Sequence, residues 1–310
     1  MRSIAYGTIP SMKRVVCISC GKKERIHTVY NATFVAGDLT DQTYSARRRP
    51  DRIHYKIVEC RRCGLIFSSP VLDDNTIVSL YQKSVCSYEH LIPYTTKTYL
   101  GLFGRIQNSL PARPKVLEVG CGNGFFLSAL VASGIKNVWG VEPGKKMVDE
   151  VPGSLRGKIK ADIFKPGQFR PTSFDLVCCF HTLDHMSDPI GFAKEAFRIL
   201  ARGGFVIVVV HDVEGISVKL FGERSPIFDI EHTYFFSKKT ISQLLRNEGF
   251  TIRDVSDLAN TYPLSYWLSM SSIPGFLKDI GVGFLARAPV LDRALTMSGG
   301  NMYIIAQKQY

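Results

Sequence analysis

Between residues 115 and 210, short apolar runs alternate with amphipathic stretches, and this alternation predicts most of the architecture. Val116, Leu117 and Val119 read as a buried strand, and 126–133 as the helix after it. Further strands are expected over 137–141, up to Ala161-Asp162, over 174–180 and over 205–210. The helix over 189–200 buries Phe192, Ala196, Ile199 and Leu200, spaced i, i+4, i+7 and i+8, and Gly203-Gly204 is expected to end it. Strands that are apolar along their whole length are buried on both faces, which implies a mostly parallel, doubly wound α/β sheet. Beyond it, Ser237 caps an amphipathic helix that turns Ile241, Leu244 and Leu245 inward and stops at Gly249. A sixth strand follows over 250–255, and a seventh returns antiparallel over 301–307.

The expected organisation is a small N-terminal domain over 1–72, a helical linker or lid over 73–110, the α/β core over 111–257, a helical insertion over 258–300, and the last core strand within 301–310. The insertion is rich in Leu and aromatic residues, among them Tyr262, Tyr266, Trp267, Phe276 and Phe284. Three readings stay open for it: a lid over a substrate, a dimer or membrane-surface contact, and a packed helical decoration. Exposed apolar area there, with Lys278, Arg287 and Arg293, would suit a lipid-linked substrate.

Composition narrows the class. The 310 residues are 45% hydrophobic and 21% charged, a globular balance that excludes disordered, collagenous and coiled-coil chains. The formal net charge is +12, and residues 1–110 hold 16 basic against 8 acidic side chains. A basic first third points to an anionic partner without choosing among phosphate, nucleotide, nucleic acid and lipid surface. The first residues do not read as a signal peptide, and the longest uncharged stretch, 258–277, is broken by Pro263 and Pro274, so a cytoplasmic protein without a transmembrane segment is expected.

Disulfides are not expected there, so the 8 cysteines need another account. Cys17 and Cys20 form one Cys-x-x-Cys-Gly turn, and Cys60 and Cys63 another. Two such turns supply four thiolates to one tetrahedral Zn²⁺, a structural site with no open position for chemistry. The 39 residues between the pairs exceed the ~15–20 of compact ribbons, so a hairpin with strands over 30–35 and 54–59 must fill the gap. Arg47-Arg48-Arg49 within that gap reads as a solvated loop, or as a clamp for a diphosphate or nucleic-acid backbone. Cys178 and Cys179 lie in an apolar run and read as packing residues.

After the first core strand, Gly120, Gly122 and Gly124 form G-x-G-x-G, where backbone must turn sharply and touch a ligand. Phe125 excludes the dinucleotide fingerprint, and no Gly-Lys-Ser/Thr follows to make a P-loop. Glu142 ends the second strand, 18 residues past Gly124, where a carboxylate is placed to accept from both ribose hydroxyls of a nucleoside.

These segments in order, Glu118-Val-Gly-Cys-Gly-Asn-Gly124, Val141-Glu-Pro143, Ala161-Asp162 and Phe174-Asp-Leu-Val177, resemble the successive motifs of class I S-adenosylmethionine-dependent methyltransferases. His181-Thr-Leu-Asp-His-Met-Ser-Asp-Pro189, Leu200-Ala-Arg-Gly-Gly204 and Glu231-His-Thr-Tyr-Phe-Phe-Ser237 are similar to the group of ubiquinone-pathway and sugar methyltransferases. The cysteine pairs, with Cys63-Gly-Leu-Ile-Phe-Ser-Ser-Pro70, resemble zinc-ribbon members such as deoxysugar C-methyltransferases. The resemblance implies a seven-stranded Rossmann-like sheet with S-adenosylmethionine as cofactor. Gly120, Gly122 and Gly124 would line its methionine part, and Glu118 would order that loop or bind the ammonium. Glu142 would take the ribose, Asp162 the adenine amino group, and Phe180 the donor's flank.

Methyl transfer is an in-line displacement that needs the acceptor atom ~3–3.5 Å from the methyl, and a base assists where the acceptor carries an acidic proton. The loops after the fourth and fifth strands hold His181, Asp184, His185, His211 and Asp212, with Glu231 and His232 further on. His185 is the expected base, because the resemblance aligns it with the histidine ending that loop in the sugar enzymes, and Glu231-His232 looks like their Glu-His pair. Asp229 stands where those enzymes carry Tyr, a departure that bears on C-methylation. His181 and His185 are spaced i, i+4, but they follow a buried strand directly and are not expected to share a metal. The expected acceptor is a small molecule, a sugar or nucleotide sugar. An rRNA or tRNA methyltransferase is the alternative, and a non-catalytic zinc-ribbon scaffold the third reading.

Overall fold

A computed structural model describes residues 11–21, 25–34, 38, 44, 50–83 and 89–309. Arg47-Arg48-Arg49, Cys86 and Val35 lie outside them. In the N-terminal part, β1 (Met12–Lys13), β2 (Ile26–Tyr30), β3 (Ile57–Cys60), β4 (Ile66–Ser68) and β5 (Val71–Leu72) are followed by α1 (Asp74–Lys83) and α2 (Ile92–Ile106). The hairpin expected between the cysteine pairs is present as β2 against β3, but its first strand ends at Tyr30, where the sequence places its start. The strand is Ile-His-Thr-Val-Tyr over 26–30 instead.

The core runs β6 (Val116–Val119), α3 (Phe125–Ala132), β7 (Val138–Val141), α4 (Lys145–Asp149), β8 (Ile159–Lys160), β9 (Phe174–Phe180), α5 (Pro189–Ile199) and β10 (Leu200–His211). It continues with α6 (Ile216–Phe221), β11 (Tyr234–Phe235), α7 (Lys238–Asn247), β12 (Phe250–Pro263), α8 (Leu264–Met270), α9 (Gly275–Arg287) and β13 (Ala294–Lys308). Seven strands form one sheet in the order β8-β7-β6-β9-β10-β13-β12. Neighbours from β8 to β10 are parallel, and β13 runs antiparallel to both β10 and β12. This is the mostly parallel, Rossmann-like sheet expected. The chain leaves β6 toward β7 and β8, then returns to β9 on the other side, so a topological switch lies at the carboxyl ends of β6 and β9.

Local chemistry explains the boundaries. Ser237 Oγ accepts from Thr240 N (3.3 Å) and Thr240 Oγ1 from Ser237 N (2.8 Å), a reciprocal cap on α7. Gly249 ends that helix at φ +92°, as expected of a C-terminal glycine. Gly203-Gly204 does not end α5. The helix stops at Ile199, Leu200 already pairs with Phe174, and the glycines sit where the register shifts between Leu200 and Phe205. A strand glycine here marks a bulge.

The insertion departs from a purely helical decoration. β12 and β13 stay paired out to Pro263 and Ala294, well past the core, as a two-stranded ribbon crowned by α8 and α9. The alternating residues over 256–263 carry this pattern, and the aromatic content masks it. Phe276, Ile280 and Phe284 of α9 are more than half exposed. No described helix is long and apolar enough to cross a membrane.

The N-terminal strands do not stand apart. β1 pairs with β5, while the sheet of the others, in the order β2-β3-β4-β11, takes its last strand from the core, pairing Phe67 with Tyr234 and Ile66 with Phe235.

Candidate active site

The loop after β6 is held in a shape only glycine tolerates. Gly120, Gly122 and Gly124 have φ of +75°, +53° and +77°. A Cβ at position 120 would stand 2.2 Å from Thr182 Oγ1. The Glu142 carboxylate closes the loop, accepting from Gly122 N (2.9 Å) and Gly144 N (2.7 Å). Burial raises the Glu142 pKa, and those two amide hydrogen bonds only partly oppose it. Glu118 is buried with Oε2 lacking any hydrogen-bond partner, and burial, with the neighbouring Glu142, pushes its pKa well above the usual carboxylate range. Both acids line one cavity of about 830 Å³. Two desolvated carboxylates under a glycine cradle suit a cationic nucleoside without phosphate, and S-adenosylmethionine carries its charge at sulfonium and ammonium.

Phe180 ends β9 against the same cavity, stacked on Tyr99 of α2 at 4.1 Å between ring centroids. Asp162 sits just past β8, where Lys165 Nζ (2.7 Å) and Gln168 Nε2 (3.1 Å) hold its carboxylate. The Lys165 contact leads in keeping its pKa below the usual range. Its neighbours Ile163, Phe164 and Lys165 line the cavity, and Asp162 itself is not among the lining residues.

Beyond Thr182, which packs on Gly120 of the glycine loop, imidazoles gather around one carboxylate. His181 sits at φ +47°, and Leu183–His185 is a single 3₁₀ turn, so His181 and His185 do not share a helix face. Asp184, 1% exposed, points inward. Its Oδ2 lies 3.0 Å from His211 Nδ1 and 3.9 Å from His232 Nε2, and its Oδ1 lies 3.8 Å from His185 Nε2. Burial would raise the Asp184 pKa, but His185, His211 and His232 outweigh it and hold it well below the usual carboxylate range. Burial and the neighbouring imidazoles push His232 well below the usual histidine value. The His185 and His232 ring centroids are 4.5 Å apart, and those of His211 and His181 5.1 Å. His185 Nδ1 meets the Tyr81 hydroxyl of α1 at 2.9 Å. His181, His185, His211, Glu231 and His232 all line the cavity, so the structure brings together every expected catalytic residue.

Several wall residues escape motif reading. Tyr81 arrives from α1, and Tyr262, Tyr266, Trp267, Met270 and Met297 arrive from the ribbon and α8. The aromatic cluster at 262–267 is the one sequence signal for the latter group. Tyr262 and Tyr266 stand 4.5 Å apart, and Tyr262 and Trp267 5.5 Å. Among the described lining residues Lys165 is the single lysine or arginine.

The four cysteines expected to bind metal also converge. One Sγ from each of Cys17, Cys20, Cys60 and Cys63 lies within 4.8 Å of the others, and all four are free thiols. Cys17 and Cys63 approach to 3.3 Å, and Cys20 and Cys60 to 3.4 Å. Burial opposes ionisation of Cys60, but hydrogen bonds from the Cys63 and Arg62 backbone, with the neighbouring thiols, lower its pKa to about 7. Sulfurs ~2.3 Å from one Zn²⁺ stand ~3.8 Å apart at tetrahedral angles, so the set fits that ion. Cys178 and Cys179 are fully buried in β9, as packing residues.

The model of a family described as "Methyltransferase domain" matches residues 90–255. The tRNA U34 carboxymethyltransferase of Idiomarina loihiensis is 28% identical over 179 residues, which cover 53% of this chain and 54% of that protein. The ubiquinone biosynthesis O-methyltransferase of Vibrio cholerae is 25% identical over 119 residues, 36% of this chain and 44% of that protein. The chain thus spans about half the length of the curated relatives it matches. Among solved structures, a S-adenosylmethionine-dependent methyltransferase of Thermotoga maritima, described as a possible histamine N-methyltransferase, aligns with a TM-score of 0.47 and 21% identity. That alignment covers 72% of this chain and 93% of that one.

Proposed function

Because the chain belongs to the methyltransferase-domain family, we propose that it is a S-adenosylmethionine-dependent enzyme that methylates a small, hydroxyl-bearing acceptor of the sugar or nucleotide-sugar class. The observation that carries this reading is the imidazole cluster with Glu231 in one cavity that Tyr262, Tyr266 and Trp267 also line. Flat Tyr and Trp faces suit the C–H faces of a sugar ring, and the polar end offers groups to its hydroxyls.

In this reading Gly120, Gly122 and Gly124 line the donor's methionine part, Glu118 takes its ammonium, Glu142 its ribose and Phe180 its flank. Asp162, held through Oδ2 by Lys165 and Gln168, takes the adenine amino group. The donor supplies the methyl group and leaves with a neutral sulfur. His185, oriented through Nδ1 by Tyr81, takes the acceptor's proton. Cys17, Cys20, Cys60 and Cys63 hold a structural Zn²⁺.

A tRNA acceptor is the second reading, favoured by the carboxymethyltransferase relatives and the +12 charge. Methyl-labelled donor offered in parallel to nucleotide sugars, free sugars and tRNA tests both. Label in the sugars, with turnover reduced at least ~100-fold in His185→Ala and donor affinity retained, supports the first reading. Label in tRNA alone overturns it.

A further inference from the structure

The Asp184 carboxylate has more neighbours than hydrogen bonding explains. His211 Nδ1 at 3.0 Å is bonded to Oδ2, but His232 Nε2 faces the same oxygen from 3.9 Å, too far for a hydrogen bond. Asp184 Oδ1 is buried with no hydrogen-bond partner, as is His232 Nδ1. One ligand atom from each of Asp184, His211 and His232 lies within 4.8 Å of the others. Ligands ~2.1 Å from a common ion stand ~3.0 Å apart at a right angle and ~3.4 Å apart at a tetrahedral one. The Asp184–His211 and Asp184–His232 separations, 3.0 and 3.9 Å, bracket those values.

The three residues come from separate places in the chain: the 3₁₀ turn after β9, the tip of β10, and the loop before β11. That loop is fixed from outside, because Ser68 Oγ donates to His232 O (3.0 Å) and Ser68 N to Thr233 O (2.8 Å). Thr233 N in turn donates to Asp184 O (2.9 Å). The backbones bearing Asp184 and His232 are therefore tied to one another. His211 and His232 line the cavity while Asp184 lies behind them, an arrangement that leaves coordination positions open toward a bound molecule. Two imidazoles and one carboxylate with open positions suit a divalent first-row transition ion.

We propose that Asp184, His211 and His232 bind one such divalent ion at the acceptor end of the cavity, separate from the four-cysteine site. Its open positions face the space the proposed function gives to the acceptor, where a Lewis acid would hold and polarise an acceptor oxygen. Only that role rests on the proposed function, since binding of the ion does not depend on acceptor identity.

The test is titration of Co²⁺ into full-length protein loaded with a single equivalent of Zn²⁺, which the four thiolates hold, followed by visible absorption and equilibrium dialysis. One equivalent of Co²⁺ with weak d–d bands, and without the intense near-ultraviolet charge transfer of thiolate ligation, is expected. His211→Ala and His232→Ala should each weaken it at least tenfold, with circular dichroism and donor affinity unchanged. Overturning results are wild-type protein that binds no Co²⁺ beyond the thiolate site, or undiminished binding in both variants. The wild-type stoichiometry decides even where a variant fails to fold. Co²⁺ binding without methylation of any sugar would count against the proposed acceptor alone, and sugar methylation without Co²⁺ binding against the ion alone.

Discussion

At the scale of single residues, the donor side was legible because its chemistry dictates residue type. Only glycine tolerates the backbone at position 120 with Thr182 2.2 Å from where a Cβ would stand, and a carboxylate at position 142 can accept from the loop it faces. The acceptor side was legible only in part. Tyr81 meets His185 across 104 residues of chain, a contact no spacing announces. His211 was visible only as a strand-tip residue, without a partner in sequence. Glu118 gives a direct test of the electronegative floor. Its pKa is raised by burial, so on raising pH above the ordinary carboxyl value of ~4.3 the unfolded chain releases this proton first, and the fold loses stability until the folded-state pKa is passed. Glu118→Gln removes that loss. Its melting temperature, measured without ligand, should exceed that of the native protein by a margin that grows from pH 4 to pH 7, while calorimetry finds donor affinity reduced about tenfold or more, in keeping with one charge-assisted hydrogen bond. A constant margin across that range would mean that the carboxylate is not desolvated.

At the scale of elements, periodicity found the core and missed what pairs out of register with it. β9 was readable to the residue, since a parallel strand buried on both faces is apolar throughout. The outer half of β12 and β13 was not, because a ribbon standing off the core alternates polar and apolar side chains among aromatic residues that read equally well as helix. Nor does sequence say that β4 pairs with β11. That pairing links the cysteine cluster to the acceptor end: Cys63 leads into β4, β4 pairs with β11, and β11 begins two residues after His232. Cys60→Ser with Cys63→Ser should therefore lower methyl transfer at least tenfold while donor affinity, set by the loop after β6, changes less than threefold. Equal losses in both would indicate general unfolding. A ribbon variant should spare the donor in the same way. Trp267, anchored by Nε1 to Leu295 O at 3.0 Å, lines the cavity from α8. Trp267→Ala should raise the acceptor KM about tenfold, the worth of ~1.4 kcal/mol of lost aromatic contact, and leave donor KM unchanged.

At the scale of the whole molecule, charge and cavity pull in different directions. The net charge of +12 is concentrated in the first third of the chain, yet among the described lining residues the cavity has Lys165 as its single lysine or arginine, against Asp74, Glu118, Glu142, Asp188, Asp229 and Glu231. A polyanion can gather on the outside of such a protein without reaching its chemistry. The two acceptor readings thus predict different responses to salt. Binding through Z phosphates releases counterions, and log K falls with log salt at a slope of about −0.7Z for a single strand. A tRNA acceptor engaged through even five phosphates would lose more than a hundredfold in kcat/KM between 50 and 200 mM salt. A small acceptor held by aromatic faces and hydrogen bonds should change by less than threefold over the same range. If tRNA binds at low salt yet is not methylated, and its release at 200 mM leaves sugar methylation intact, the basic surface and the cavity serve different ends. A steep salt slope in the methylation rate itself would instead make the basic first third part of the acceptor site.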